Sequence, residues 1–340
     1  MDVMKVLVTG GAGYIGSTVC SALIDRGHQP VILDSLVTGR PEFVKDRLFY
    51  HGDIADNAVL EKIFAEHPDI RHCIHFAALI QVPESVEKPF EYYYENVAKS
   101  LLLFKNLHRL GCPNVIFSSS ASIYDDVPGF MVTESAPLNP RSPYARTKYM
   151  MEMVLKDFCA AYGMHGIALR YFNPIGADPQ MRSGIHAQFP SHVLGKLVAV
   201  ALGKEPVFKI TGVNWDTRDG SGIRDYIHIW DLAMAHVKAL EKFDSVFAAP
   251  QAQALPYAVI NLGSGNGVTV KELVAAFEKV YGQVINKAEA PPRDGDVAGA
   301  YANADRAAQL LGWQTELSIE DGIASALKWG ELRKSILPYA

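Results

Sequence analysis

Apolar runs rich in β-branched residues recur along the first half of the chain: KVLVTG, PVILD, LFYHGDI, HCIHFAA and NVIFSSS. Each has the length of a strand, and segments of helical length separate them. Nearly continuous apolar runs mark strands buried on both faces. The rhythm therefore predicts βαβ units with right-handed crossovers, stacking helices on both sides of one twisted parallel sheet. The fold class is α/β, doubly wound. The alternation lasts to about residue 172, after which NPIGADPQMRSGIHAQFP is rich in Pro, Gly and polar residues and has no clear period. A domain edge is expected there, dividing the chain into 1–172 and a smaller α/β domain at 173–340. Beyond the edge the pattern predicts a helix near 190–202 and a strand near 207–211. RDYIHIWDLAMAHVKAL reads as a strand running into a helix and YAVINLG as a strand, so segments near 224–262 are expected to return to the main sheet. No internal repeat or low-complexity tract interrupts this plan.

Composition narrows the classes of function. With 340 residues, 49% hydrophobic and 20% charged, the chain is long enough to bury a large core. The net charge of −5 comes without a long basic run, which argues against nucleic acid or a membrane surface as partner and for a small soluble ligand. Cys20, Cys73, Cys112 and Cys159 are widely spaced, form no C-x-x-C pair and mostly lie among apolar neighbours. They read as reduced core thiols, with no metal site expected. MKVLVTG enters a strand without an apolar signal core, and no window approaches the ~20 apolar residues of a membrane span. The expected compartment is the cytoplasm.

Chemistry first enters at VLVTGGAGYIG, where Gly10, Gly13 and Gly16 lie between a predicted strand and a predicted helix. Glycines there permit a tight turn and close backbone approach to a pyrophosphate, whose charge the helix N-terminus favours. Asp34 closes the second strand, where a carboxylate can accept from adenosine ribose hydroxyls and repel a 2′-phosphate. That favours NAD over NADP, with Arg40 nearby as the counter-argument. Asp53 in HGDI is either an adenine-side contact or a turn acid capping the next helix.

RSPYARTK places Tyr144 four residues ahead of Lys148, behind Ser142 as a helix N-cap and Pro143 at the first helical position. Residues four apart share a helical face, so phenol and ammonium can meet one ligand. Bringing a phenol from ~10 to ~7 requires about 4 kcal/mol. One positive charge at ~4 Å and an effective dielectric of ~20 supplies about that much. Lys148 and an oxidised nicotinamide are two such charges. In FSSSASIY, Ser118, Ser119 and Ser120 end a predicted parallel strand, the place where ligands of open α/β sheets bind.

TGGAGYIG, FSSSASIY and YARTK together resemble the extended short-chain dehydrogenase/reductases. RYFNPIGA, GSGIRDYIHIWDLA and NLGSGNGVTVKELV resemble, within that group, the UDP-hexose 4-epimerases, and the likeness spans nearly the whole chain. The resemblance implies a homodimer of Rossmann-type subunits, with NAD held by 1–172 and the UDP-sugar by 173–340. It implies interconversion of UDP-glucose and UDP-galactose through a transient 4-keto sugar and NADH. Tyr144 would be the general base and acid, Lys148 would bind the nicotinamide ribose and lower the phenol pKa, and Ser120 would hold the reacting 4-hydroxyl. Further cofactor contacts are implied at Tyr14, Ile15, Ile54, Phe76, Ala77 and Ala78. Asn96, Ser118 and Tyr171 complete that set. On the substrate side the implied residues are Phe172, Asn173 and His192 near the diphosphate, Arg224 and Arg293 on phosphate, and Asp296 on the uridine ribose. Two helices, near 90–109 and 144–162, would pack across the dimer interface.

The family comparison aligns Ala300 with a position whose size governs access for a 2-acetamido group, so UDP-GlcNAc and UDP-GalNAc are expected substrates too. Three departures touch substrate preference more than reaction type. Ile80 stands where a lysine is frequent, His192 where asparagine is common, and Asp125 follows Tyr124 in place of glycine. A 4,6-dehydratase would need an acid and base beside the strand-end hydroxyl, where this chain has Ser119-Ser120-Ala121. A 4-epimerase of UDP-pentoses or uronates, and a non-enzymatic NAD-sensing protein on the same fold, are the remaining alternatives.

Overall fold

The computed structural model describes residues 3–188, 190–248, 255–292 and 297–338. In chain order the first strands are β1 (Lys5–Thr9), β2 (Gln29–Asp34), β3 (Leu48–His51), β4 (His72–His75), β5 (Asn114–Ser118), β6 (Met131–Val132) and β7 (His165–Tyr171). There follow β8 (Asn173–Ile175), β9 (Phe208–Thr211), β10 (Ile223–Arg224), β11 (Tyr226–His228), β12 (Tyr257–Leu262), β13 (Val268–Thr269), β14 (Lys287–Ala290) and β15 (Gly299–Ala302). The helices of the first half are α1 (Tyr14–Asp25), α2 (Asn57–Glu66), α3 (Val82–Glu87), α4 (Pro89–Tyr93), α5 (Lys99–Arg109) and α6 (Pro143–Tyr162). Those of the second are α7 (Val193–Ala201), α8 (Ile229–Glu241), α9 (Phe243–Ala248), α10 (Val270–Tyr281), α11 (Asp305–Leu311) and α12 (Ile319–Ile336).

Seven parallel strands form the main sheet in the order β12-β7-β5-β4-β1-β2-β3. The order reverses between β1 and β4, which opens a crevice beyond their carboxyl ends. The strands read as unbroken apolar runs because both faces are covered. On one side Val6, Val8, Ile32, Ile74 and Ile116 meet α1 and α8; on the other Leu7, Val31, Cys73, Val115 and Phe117 meet α2, α5 and α6. All four cysteines are buried and free, as their apolar neighbours led us to expect.

The second half builds smaller pieces around a third core of Leu194, Leu197, Phe208, Tyr226, Leu273, Phe277 and Ile323. A four-stranded sheet runs β13-β10-β15-β6, and two parallel pairs join β11 to β8 and β14 to β9. RDYIHIW is therefore not one strand: β10 and β11 lie in different sheets. Asp225 between them causes the break. Buried completely, its carboxylate accepts from the amides of Ser264, Gly265 and Ala302 and from the Ser264 hydroxyl. The return to the main sheet is made by β12 at its edge and by α8, packed on α1.

The helix expected at 90–109 is likewise interrupted. A π turn over Tyr94–Ala98 separates α4 from α5. It carries the buried Asn96, which accepts from Leu79 N–H at 2.7 Å and donates to the Leu79 carbonyl at 2.9 Å and to Thr147 Oγ1 at 3.1 Å. No helix among the described residues is long and apolar enough to cross a membrane.

Candidate active site

The glycine turn sits in the crevice. Gly10 follows β1 with φ +73°, and a Cβ there would lie 2.6 Å from the Ala77 nitrogen, so the turn and the segment after β4 touch as bare backbone. Gly16 packs the start of α1 onto the same turn: its Cβ would fall 2.2 Å from the Gly10 carbonyl. Gly13 is the N-cap of α1 and offers no side chain to the first-turn N–H groups, and no acid lies in that turn. Unfilled amides at a glycine-rich helix start, with room for close approach, fit a dinucleotide diphosphate. Ile15 lies half-buried in the same turn, while the Tyr14 hydroxyl is engaged elsewhere, donating to the Gly176 carbonyl at 2.7 Å.

Asp34 ends β2 and accepts from the amides of Ala12 and Leu36 at 2.9 and 2.8 Å. Burial pushes its carboxyl pKa up while the two amides hold it down. It therefore braces the turn and faces the place where a ribose would lie. Asp53 does not cap α2; Asp56 does, accepting from Ala58 and Val59. Asp53 instead accepts from Ala55 N–H at 2.9 Å and pairs with Lys99 at 2.5 Å. Ile54 is buried next to it, and Phe76, Ala77 and Ala78 line the exit of β4.

Beyond β5 the groups converge. Ser142 caps α6 by accepting from Ala145 N–H at 3.1 Å, and Pro143 opens the helix, as their types led us to expect. The Tyr144 hydroxyl lies within reach of Ser120, a contact that favours the phenolate. Lys148 Nζ lies 6.0 Å from the Tyr144 ring centroid and 5.2 Å from that of Phe117, and donates to the Ser118 carbonyl at 2.7 Å. Ser118 Oγ and the Tyr171 hydroxyl are 2.5 Å apart. Ser119 points the other way and donates to Glu152.

Without a ligand the phenol stays above its ordinary pKa: burial raises Tyr144 and the Ser120 contact opposes the rise. Burial also pulls Lys148 down to about 7. A buried phenol loses more by giving up water than the chain's own groups return. A positive charge bound beside the phenol would favour its ionised form.

The second-half residues assemble partly. Ala300 on β15 is the register partner of Arg224 on β10. The guanidinium bends back to donate to the carbonyls of Ile223, Val297 and Ala298 at 2.7, 3.1 and 2.8 Å. Only glycine fits beside it, since a Cβ on Gly299 would lie 2.2 Å from Arg224 Nη1. Asn173 opens β8 next to Tyr226 on β11, and Phe172 lies half-buried before it. The Tyr226 hydroxyl is buried with no hydrogen-bond partner among the described residues. His192 caps α7, accepting at Nδ1 from Gly195 N–H at 3.1 Å, and burial pulls its pKa to about 4. That fixes a neutral ring carrying its proton on Nε2, a buried atom also without a partner among the described residues. Ile80 is 64% exposed. Asp125 and Asp126 both pair with Arg141 in the segment after Tyr124. Arg293 and Asp296 lie outside the described residues. Asp225 had no signal in the sequence beyond its place in an RD pair.

A phenol, an ammonium and a serine hydroxyl gathered beside a diphosphate turn at the switch point of a parallel sheet mark a class: Rossmann-type proteins that hold a dinucleotide against an alcohol. The particular family follows from the chain as a whole. Residues 6–263 match the NAD dependent epimerase/dehydratase family, to which this chain belongs. It is 39% identical over 336 residues to a UDP-glucose 4-epimerase of Bacillus subtilis, covering 96% of each chain. Among solved structures, a UDP-glucose 4-epimerase of Stenotrophomonas maltophila with bound NAD and formylated UDP-arabinopyranose superposes with a TM-score of 0.90 at 35% identity, over 98% of this chain and 99% of that one. The Bifidobacterium longum enzyme in complex with NAD+ and UDP gives 0.89 at 35% identity, over 98% and 100%.

Proposed function

We propose that the protein interconverts UDP-glucose and UDP-galactose at C4, with NAD as its cofactor. The observation that carries the reading is the placement of Tyr144, Ser120 and Lys148 at the carboxyl end of β5, on the same edge of the sheet as the glycine turn that follows β1. In this reading Ser120 orients the 4-hydroxyl and Tyr144 takes its proton. A bound NAD would supply the hydride acceptor for C4 and, once the hexose has presented its other face, the hydride donor. Tyr144 returns the proton to O4 in that second half. Arg224, Arg293 and the Nε2–H of His192 hold the diphosphate throughout, so binding is strong at the nucleotide and loose at the hexose. Incubating the protein and NAD with either UDP-sugar and separating the products tests this. No conversion would leave the NAD-sensing alternative ahead.

The glycine turn carries a second test. Gly16→Ala drives a methyl into the Gly10 carbonyl, and overpacking of this kind costs about 1–3 kcal/mol. Titration calorimetry is expected to find NAD bound about tenfold or more weakly, with UDP binding unchanged.

At Ala300 the small side chain supports UDP-GlcNAc and UDP-GalNAc as further substrates. Ala300→Tyr is expected to lower kcat/KM for the acetamido sugars at least about tenfold while leaving UDP-galactose nearly unaffected. Equal losses on both sugar types would sink the size argument. Half-exposed Leu101, Leu102 and Met153 on α5 and α6 support a homodimer across these helices. The four free thiols support a reducing compartment, the cytoplasm. We assign 1–172 with β12 and α8 to NAD and the rest of 173–340 to the UDP-sugar.

A further inference from the structure

The middle serine of the strand end leads away from the reacting groups into a buried network. Its acceptor, Glu152, lies one helical turn beyond Lys148 on the same face of α6. Glu152 and Arg170 are each 4% exposed and meet at two points, Nε to Oε1 at 2.9 Å and Nη2 to Oε2 at 2.6 Å. Arg170 Nη1 donates to the Tyr124 hydroxyl at 3.0 Å, and that hydroxyl donates to Asn261 Oδ1 at 2.6 Å. The network thus ties the end of β5 to α6, β7 and β12.

Buried ion pairs are poor sources of stability, and apolar side chains of similar volume often serve as well. A buried acid at this spacing from Lys148 therefore calls for a role other than cohesion. We propose that Glu152, locked by Arg170, is a positioning residue for the acid–base groups: through Ser119 it sets the strand end that presents Ser118 and Ser120, and from one helical turn along the same face its carboxylate favours the charged form of Lys148. The inference rests on the roles assigned above to Tyr144, Lys148 and Ser120.

The surroundings of both groups support it. Facing Lys148 are the Tyr144 and Phe117 rings, the Ser118 carbonyl on β5 and His75 on β4, which burial holds neutral at about 3. Burial pulls Lys148 down, and Glu152 is the charge that opposes the fall. Facing Glu152 are Ser119 from β5, Arg170 from β7 and the Tyr257 phenol from β12, whose ionisation burial and Glu152 oppose. Because Lys148 loses its charge as pH rises through its own pKa, removing the Glu152 anion brings that loss to lower pH. An Arg170 left unpaired acts in the same direction.

Glu152→Gln keeps the size and an acceptor for Ser119 but removes the anion. In the NAD-saturated enzyme the alkaline limb of kcat is expected to move down by about 1 pH unit or more, with KM for UDP-galactose changed less than about twofold. In NAD-free protein carrying 13C-labelled lysine, the Lys148 resonance, assigned by its loss in Lys148→Arg, is expected to titrate at lower pH than in the wild type. Should this variant not fold, Glu152→Gln combined with Arg170→Gln, which strands no charge, is read by the same two measurements. A folded variant with the wild-type limb and the wild-type Lys148 titration overturns the inference. A wild type inactive on every UDP-sugar, with the Lys148 shift still seen, sinks the functional reading and upholds the electrostatic role of Glu152.

Discussion

Tyr144→Phe is expected to leave a folded protein that binds NAD and UDP-sugars normally and converts them at least about 10³-fold more slowly. The ring is buried at 9% exposure on α6, and phenylalanine fills the same volume in the same rotamer. The backbone role of the residue also survives, since its carbonyl accepts from Thr147 Oγ1 at 2.7 Å. Only the hydroxyl is lost, and with it the contact to Ser120. Lys148 is engaged elsewhere, donating to the Ser118 carbonyl at 2.7 Å. Turnover from product separation, with the melting temperature and NAD affinity as controls, checks it. Undiminished turnover would remove Tyr144 from the chemistry.

Features set by short-range spacing were legible in the sequence. β1, β2, β4 and β5 are buried on both faces, so each announces itself as an apolar run, and the glycine turn and the Ser142-Pro143 helix start are local patterns. What depends on partners distant in the chain was not. β13 and β10 have two residues each and flank or follow the buried Asp225, whose hydrogen-bond donors come from residues 264, 265 and 302. The π turn at Tyr94–Ala98 accompanies Asn96 bridging Leu79 and Thr147, a contact no helical period announces. The Glu152–Arg170 pair joins a helix to a strand 18 residues on, and no local pattern in the sequence announces it. Burial, which no residue spacing reveals, raises the Tyr144 pKa.

That rise shapes the second large effect, Lys148→Met. With Nζ 6.0 Å from the Tyr144 ring centroid, an ammonium at an effective dielectric of about 20 favours the phenolate by about 3 kcal/mol, or about 2 pKa units. Burial has already raised the phenol, so in the NAD-loaded enzyme Lys148 and the cofactor's positive charge act together to bring it down. Activity that needs the phenolate appears as pH rises through this pKa. Removing the ammonium raises that pKa, so the acid limb of kcat is expected to move up by about 2 pH units. Turnover at neutral pH then falls about 100-fold and is regained in part at high pH. Methionine is close in volume and removes a buried charge, while the Ser118 carbonyl loses its 2.7 Å donor, so the melting temperature is expected to change little. Paired pH profiles of kcat, with ultraviolet difference spectra against Tyr144→Phe to follow the phenolate, separate the cases. A uniform loss with an unmoved acid limb would make Lys148 a binding group for the cofactor and leave the phenol to be ionised by the nicotinamide charge alone.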